Sequence, residues 1–411
     1  MGTANAPRSP ALRLHGRDVR GLVALGVDAV VGITDLVETM HHTVASGTGI
    51  VGAPPSGRTS GITGLVYRTV RHTTRVVGRG ADAMLDVLAG GAMAGAPMPL
   101  PKREAVLAAL NGVWGDHLAA TRNPLAIRMS LRAWGRAHAA RDRPLATDPL
   151  PTTGKLLVLA HGLCMNDLQW TRRGHDHGQA LARDLGFTPI YLHYNSGRHV
   201  SQNGREFAAL LERLVAQWPV PVDELVIVGH SMGGLVARSA CYEARRTGQA
   251  WLKSLTKLVF LGTPHHGAAL ERGGHLVDML FGVSPYVAPF ARLGKARSAG
   301  ITDLRFGNLQ DADWHGRDRY AQRNDDRRPT PLPEGVEAYI VAATTGTRTE
   351  GLRNRLIGDG LVPLASALGE HPDPARALVV PQTHRLVVTS SNHWDLLDRA
   401  DVYEQLRRWL A

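Results

Sequence analysis

Glu224-Leu225-Val226-Ile227-Val228-Gly229-His230-Ser231-Met232-Gly233-Gly234-Leu235-Val236 is the stretch on which the reading of this chain turns. Leu225 to Val228 is an unbroken apolar run rich in β-branched residues, as in a strand buried on both faces. Gly229 and Gly233 then bracket the serine as Gly-x-Ser-x-Gly, and helix-forming residues resume at once. A serine on a sharp turn between strand and helix projects its hydroxyl beyond the sheet, and the flanking glycines let the backbone pass without a Cβ clash. The pattern predicts that Ser231 is a nucleophile rather than a structural turn residue, and that it sits in a sheet whose strands alternate with helices.

Outward from that stretch, the rhythm of strand, turn and helix repeats. Strands are predicted over 155–160, 189–193, 224–228, 257–261, 336–342 and 385–389, and helices over 178–185, 204–217, 232–246 and 394–410. Such alternation implies an α/β fold with a mostly parallel, doubly wound sheet. Segment 266–333 breaks the rhythm with glycine, proline, aromatic and charged residues. A span so long and irregular inside a compact domain is usually functional. It is expected to be a cap insertion over an apolar pocket, with Phe281 and Phe290 touching substrate; the plainer reading is that its apolar residues complete the core.

A Pro-rich polar joint, from Arg143 to Gly154, suggests a boundary near residue 150. Residues 1–150 then form a helical N-terminal region, and 151–411 form the α/β domain. Within the first part, Leu22, Leu25, Ala29, Ile33, Leu36 and Met40 recur at helical spacing. A second helix, over 62–88, carries Arg68, Arg71, Arg75 and Arg79 on one side, and a third is expected over 103–120. The basic stripe suits an anionic lipid surface. Peripheral membrane contact through these helices is one expectation, and packing onto the α/β domain with the arginines in water is the other.

Composition narrows the class further. The 411 residues carry a net charge of +11, and only five of the 47 basic residues are lysine. A basic balance favours anionic partners in general, yet no basic block interleaved with aromatics is present, so nucleic acid is not an expected partner. Two cysteines, Cys164 and Cys241, are too few for a disulfide framework and poorly spaced for zinc. Neither a secretory signal pattern nor an apolar run of the roughly 20 residues that span a bilayer occurs. A cytoplasmic protein, soluble or attached to the inner face of the membrane, is expected.

A serine nucleophile needs a base, and the base needs an orienting acid; after an elbow of this kind the chain order is Ser, acid, His. Asp359 lies in the Gly-flanked loop Gly358-Asp359-Gly360-Leu361-Val362-Pro363, where backbone donors can hold a carboxylate. His393 lies just beyond the last strand, in Ser391-Asn392-His393-Trp394. The plain alternatives are an Asp-Gly turn for Asp359 and a helix-start residue for His393. The oxyanion hole requires two backbone N–H groups, expected from Met232 after the nucleophile and from Leu163 after the first predicted strand. His384 precedes its strand and should lie at the wrong end of the sheet. His265 and His266 follow a strand at its carboxyl end and are assigned to substrate binding or to structure. His175-Asp176-His177 reads as a solvated loop rather than a metal site. The chemistry calls for no metal and no cofactor.

Four separated motifs, His161-Gly162-Leu163, Gly229-His230-Ser231-Met232-Gly233-Gly234, Gly262-Thr263-Pro264-His265-His266-Gly267 and Gly358-Asp359-Gly360-Leu361-Val362-Pro363, together resemble bacterial lipases and lipase-like hydrolases, a grouping that includes the family similar to the GPI-inositol deacylase. The resemblance covers about residues 154–411 and implies an α/β-hydrolase fold. It further implies a serine esterase or lipase acting on a small-molecule acyl-ester or lipid substrate through Ser231, Asp359 and His393, with Leu163 and Met232 as oxyanion donors. An acyltransferase or an amide or thioester hydrolase would use the same residues. A membrane- or partner-binding protein with a vestigial hydrolase fold is the alternative from another class. The N-terminal region lies outside the generic lipase pattern.

Overall fold

The computed structural model describes residues 21, 100–133, 152–268, 298–319, 325–347 and 358–411. The chain divides into two units, Met1–Leu100 with Ala120–Leu125, and Pro101–Ala119 with Ala126–Ala411. The described part of the first is little more than a turn in which Asn123 Oδ1 accepts from the Leu125 N–H. The predicted helices at 22–40 and 62–88 lie outside the described residues, as do most of the joint around residue 150 and both Phe281 and Phe290.

The second unit is built on a seven-stranded sheet. Its elements in chain order are α1 (Leu100–Ala120), β1 (Ser130–Ala133), β2 (Lys155–Ala160), α2 (His177–Leu185), β3 (Thr188–His193), α3 (Val200–Gln217), β4 (Glu224–His230) and α4 (Met232–Thr247). There follow β5 (Leu255–Leu261), α5 (Ala299–Phe306), β6 (Glu337–Ala343), the single turn α6 (Leu364–Ala367), β7 (Arg385–Val388) and α7 (Ala400–Leu410). The strand order is β1-β3-β2-β4-β5-β6-β7, parallel throughout except for β1 against β3. Alternate side chains of each strand enter different cores. Leu156, Val158, Leu225, Ile227, Leu258 and Phe260 pack with α3 and α4, whereas Leu157, Leu159, Val226, Val228, Val259 and Leu261 pack with α2 and α7. Apolar residues at consecutive strand positions are what a sheet covered on both faces requires. Among the described residues no helix is long and apolar enough to cross a membrane.

All six predicted strands are present, within two residues at each end. The seventh, β1, carries no strand signal: Ser130-Leu131-Arg132-Ala133 is short and pairs on one side only. It lies before the expected boundary, so that boundary does not mark the start of the sheet. Arg132 of β1 pairs with the buried Asp167 (2.9 Å) and Glu104 (3.3 Å), and Ser196, beyond β3, has its hydroxyl bonded to the Cys164 N–H (3.0 Å). In α1, a Cβ on Gly112 would lie 2.1 Å from Cys164 Sγ. Strand and helix before residue 150 are thus held by tertiary ion pairs and close packing that no local pattern encodes.

Two other expectations change. The last helix does not begin at Trp394. Asn392 Oδ1 accepts from the N–H groups of Trp394 (2.9 Å) and Asp395 (3.2 Å), which stabilises a turn, and the helix starts only at Ala400. Nor is segment 266–333 irregular throughout. Ser298 caps α5 by accepting from the Ile301 N–H (3.2 Å), and Ile301, Leu304 and Leu309 join the core beside α3 and α4. The apolar cluster at 276–290, on which the cap and core readings turn, lies outside the described residues.

Candidate active site

The site is assembled at the carboxyl ends of β2, β4, β5, β6 and β7. Ser231 directly follows β4 with φ 53° and ψ −123°, a conformation that costs a non-glycine residue energy and that surrounding structure must hold. It is held on both sides: its N–H donates to Leu261 O (2.8 Å) at the end of β5, and its carbonyl accepts from the Gly234 N–H (3.1 Å). The glycines permit this crossing. A Cβ on Gly233 would lie 2.1 Å from Ala160 O, and one on Gly229 would lie 2.5 Å from the Gly234 backbone. Gly233→Ala is therefore expected to destabilise the fold by about 1–3 kcal/mol, the usual cost of overpacking. A lowered denaturant midpoint with an unchanged slope is the predicted reading, and wild-type stability would contradict it.

Asp359 and His393 meet in the structure. His393 Nδ1 lies 2.6 Å from Asp359 Oδ2, and both residues are buried. The other carboxylate oxygen, Oδ1, accepts from the Leu361 (3.0 Å) and Val362 (2.9 Å) N–H groups, so the Gly-flanked loop clamps the acid. The His393 N–H also donates to Asp359 O (3.2 Å). Gly262, at φ 58°, forms the seat of the imidazole: a Cβ there would lie 3.0 Å from His393 Cε1 and Nδ1. Because Ser231 is bonded to Leu261 and His393 rests on Gly262, one turn after β5 adjoins both residues. Gly262 was present in the third sequence motif without a role; its role depends on contact across 131 positions of chain, for which no local signal exists.

The loop after β2 approaches the same point. A Cβ on Gly162 would lie 3.1 Å from Ser231 Cβ. Leu163 and Met232 are both buried, and among the described residues no hydrogen bond from either amide to another protein group is present. The loop is fixed by Tyr194, whose hydroxyl donates to His161 O (2.7 Å) and whose ring stacks on His161. It is also fixed by the Ser196 hydroxyl, as described above. Tyr194 and Ser196 were not singled out in the sequence, because each acts on a loop more than 30 residues away.

The remaining histidines fall elsewhere. His384 Nδ1 faces Ala338 O (3.2 Å) near the start of β6, at the opposite end of the sheet, as expected. His175-Asp176-His177 is not a solvated loop. His177 is fully buried between His175 (2.8 Å) and Leu396 O (2.9 Å), and Asp176 caps α2 through the Gln179 N–H. His265 faces Arg238, and His266 faces Arg327; the structure does not set either against the Asp359–His393 pair. His266, Asp325 and His371 offer ligand atoms within 4.8 Å of one another. Arg327 Nη2 already bridges Asp325 Oδ2 (2.5 Å) and His266 Nδ1 (3.1 Å), so a cation there would have to displace a guanidinium.

Burial pushes His161 down to about 3, His177 and His266 to about 4, and His230 and His265 well below the ordinary range. These rings are neutral when folded, whereas in the unfolded chain they take up protons near pH 6.5. The folded state therefore keeps its full stability above about pH 6.5 and loses it as the pH falls below that value. Each ring contributes a slope of about 1.4 kcal/mol per pH unit until its own folded value is reached. Urea midpoints measured between pH 7.5 and pH 5 should fall accordingly, and a flat profile would refute this account.

Residues 154–314 match the family model described as the PGAP1-like alpha/beta domain. No match to a curated protein sequence was found. Among solved structures the chain is similar to the lipase BlEst2 of Bacillus licheniformis in its mature form, at 16% identity and a TM-score of 0.41, over 69% of this chain and 98% of that one. It is also similar to an esterase of Pyrobaculum calidifontis, at 13% identity and 0.36, over 62% and 74% of the two chains. A third similar structure is YbtT, a type II thioesterase from the yersiniabactin biosynthetic pathway, at 15% identity and 0.37, over 62% and 92%. With its mostly parallel sheet and a strand–serine–helix elbow after β4, the chain has a fold of the α/β-hydrolase type, and its residues 154–314 are similar to the PGAP1-like alpha/beta domain.

Proposed function

We infer that this protein is a serine hydrolase that cleaves a carboxylic ester of an acyl or lipid-like substrate. The observation that carries the reading is the clamped, buried Asp359–His393 pair at 2.6 Å, resting on the same β5 turn that holds the strained Ser231. Ser231 Oγ attacks the ester carbonyl as His393 Nε2 takes its proton, and Asp359 keeps the other ring proton on Nδ1 and stabilises the imidazolium. The negative charge on the carbonyl oxygen is received by the N–H groups of Met232 and Leu163. His393 then returns the proton to the departing alcohol, leaving an acyl-enzyme. Water, deprotonated by His393, releases the acid and restores Ser231.

The ester bond as target, rather than a thioester or amide, follows the sequence resemblance to lipase-like hydrolases and is the part to test first. A fluorophosphonate probe should label the folded protein at Ser231 alone, and p-nitrophenyl esters should turn over faster than matched anilides and thioesters. Absence of labelling removes the nucleophile. Labelling with turnover confined to thioesters, or with exclusive transfer to an added alcohol, keeps the nucleophile and replaces the substrate class.

A further inference from the structure

Arg238 lies two turns along α4 from Ser231 and is buried, 5% exposed. Its Nη2 donates to Thr330 O (2.7 Å), and its Nη1 faces His265 Nδ1 at 3.2 Å. A guanidinium can only donate, so Nδ1 accepts and the proton of this neutral ring sits on Nε2. Two donors are then left buried with no hydrogen-bond partner among the described residues, Arg238 Nε and His265 Nε2. Among those residues no carboxylate pairs with Arg238, whereas its neighbours are matched, Arg327 by Asp325 and Arg376 by Asp373. Burial and the proximity of Arg327 pull Arg238 down to about 9, still cationic at neutral pH.

These groups border a cavity of about 20 Å³, lined by Arg238, His265, His266, Arg327, Arg328 and Thr330 among others. Such a space holds one particle of about the size of a water molecule. The one acidic side chain on its wall, Asp313, is occupied by the N–H groups of Leu309 (2.9 Å), Gln310 (3.0 Å) and Arg328 (3.0 Å).

We propose that this cavity binds a small monovalent inorganic anion of the size of chloride, held between the Arg238 guanidinium and the Nε2–H of His265. A cation buried without a counter-ion is unfavourable, and a wall rich in N–H donors and arginines complements an anion. A water molecule could accept from both unpaired donors but would leave the charge uncompensated. The cavity is too small for phosphate or a carboxylate-bearing metabolite. The bound anion ties α4, the turn after β5 and the segment around Thr330 together. Because Arg238 and His265 are separate from Ser231, Asp359 and His393, this site stands whether or not the proposed ester chemistry holds.

Thermal unfolding of the full chain in sodium chloride, bromide and gluconate at matched ionic strength tests the proposal. The midpoint should rise saturably with chloride and bromide, and gluconate, too large to enter, should lack that component. Equal responses to all three salts would overturn the site. Arg238→Met should abolish the chloride-specific rise. Should that variant not fold, His265→Phe, which retains the arginine, should weaken apparent chloride affinity about tenfold; unchanged saturation in either folded variant counts against the proposal. Crystals grown in bromide should show an anomalous peak within hydrogen-bond reach of Arg238 Nε, and its absence at saturating bromide would also overturn it.

Discussion

Replacing Ser231 by alanine is expected to lower kcat/KM on p-nitrophenyl esters by about 10⁴- to 10⁶-fold, the range seen when the nucleophile of a serine triad is removed. On the proposed mechanism, the substitution removes the atom that would form the acyl bond and leaves the backbone, the helix and the proposed oxyanion donors in place. Any residual rate over water would come from the Met232 and Leu163 amides and from substrate binding. The fold should not suffer, since Ser231 is held by its backbone, through Leu261 O and the Gly234 N–H, rather than by a side-chain hydrogen bond in the described structure. Relief of a polar group from a conformation with φ 53° is not expected either, because alanine carries the same Cβ penalty. Measuring kcat/KM together with fluorophosphonate labelling decides the matter. A variant that retains more than about a hundredth of wild-type activity would show that turnover runs through another group.

Asp359→Asn should cost about 10⁴-fold in kcat, with KM little changed, as in other triads where the acid becomes an amide. The cause is the tautomer. Asp359 Oδ2 receives the Nδ1 proton of His393 at 2.6 Å, which leaves Nε2 free to act as a base. The asparagine amide oxygen can take over the two backbone bonds from Leu361 and Val362, which then turns the NH₂ group towards Nδ1. His393 must accept from that group, its proton moves to Nε2, and the ring can no longer deprotonate Ser231. Thermal stability should change far less than activity, because the loop contacts survive. A loss of less than tenfold would assign the orienting acid to another residue.

The strand–serine–helix turn, the six apolar strands and the loop that holds Asp359 were legible because each rests on short-range chemistry. An unbroken apolar run specifies a strand covered on both faces, and a glycine on each side of a serine specifies a tight crossing of strand and helix. His393 was legible through chain order. By contrast, β1 is four residues long and stays in place through Arg132, whose partners Asp167 and Glu104 are 35 and 28 positions distant. The role of α1 likewise depends on the contact of Gly112 with Cys164. The start of the last helix was misread because, after a short 3₁₀ turn at Asp395–Leu397, the backbone leaves the helical region at Asp398 (φ −141°) and Arg399 (ψ 133°), a break that composition does not reveal.

What the sequence by itself determined is therefore the α/β class, the location of the serine, and an acid and a histidine in workable order, since periodicity and turn chemistry are properties of neighbouring residues. Only the tertiary structure decided that Asp359 reaches His393, that Gly262 seats the imidazole beside the strand that holds Ser231, and that His265 turns to a buried arginine. Those pairings join residues 27 to 131 positions apart. They form only when parallel strands bring distant turns to the same edge of the sheet, and burial then sets which protons and charges each side chain can carry.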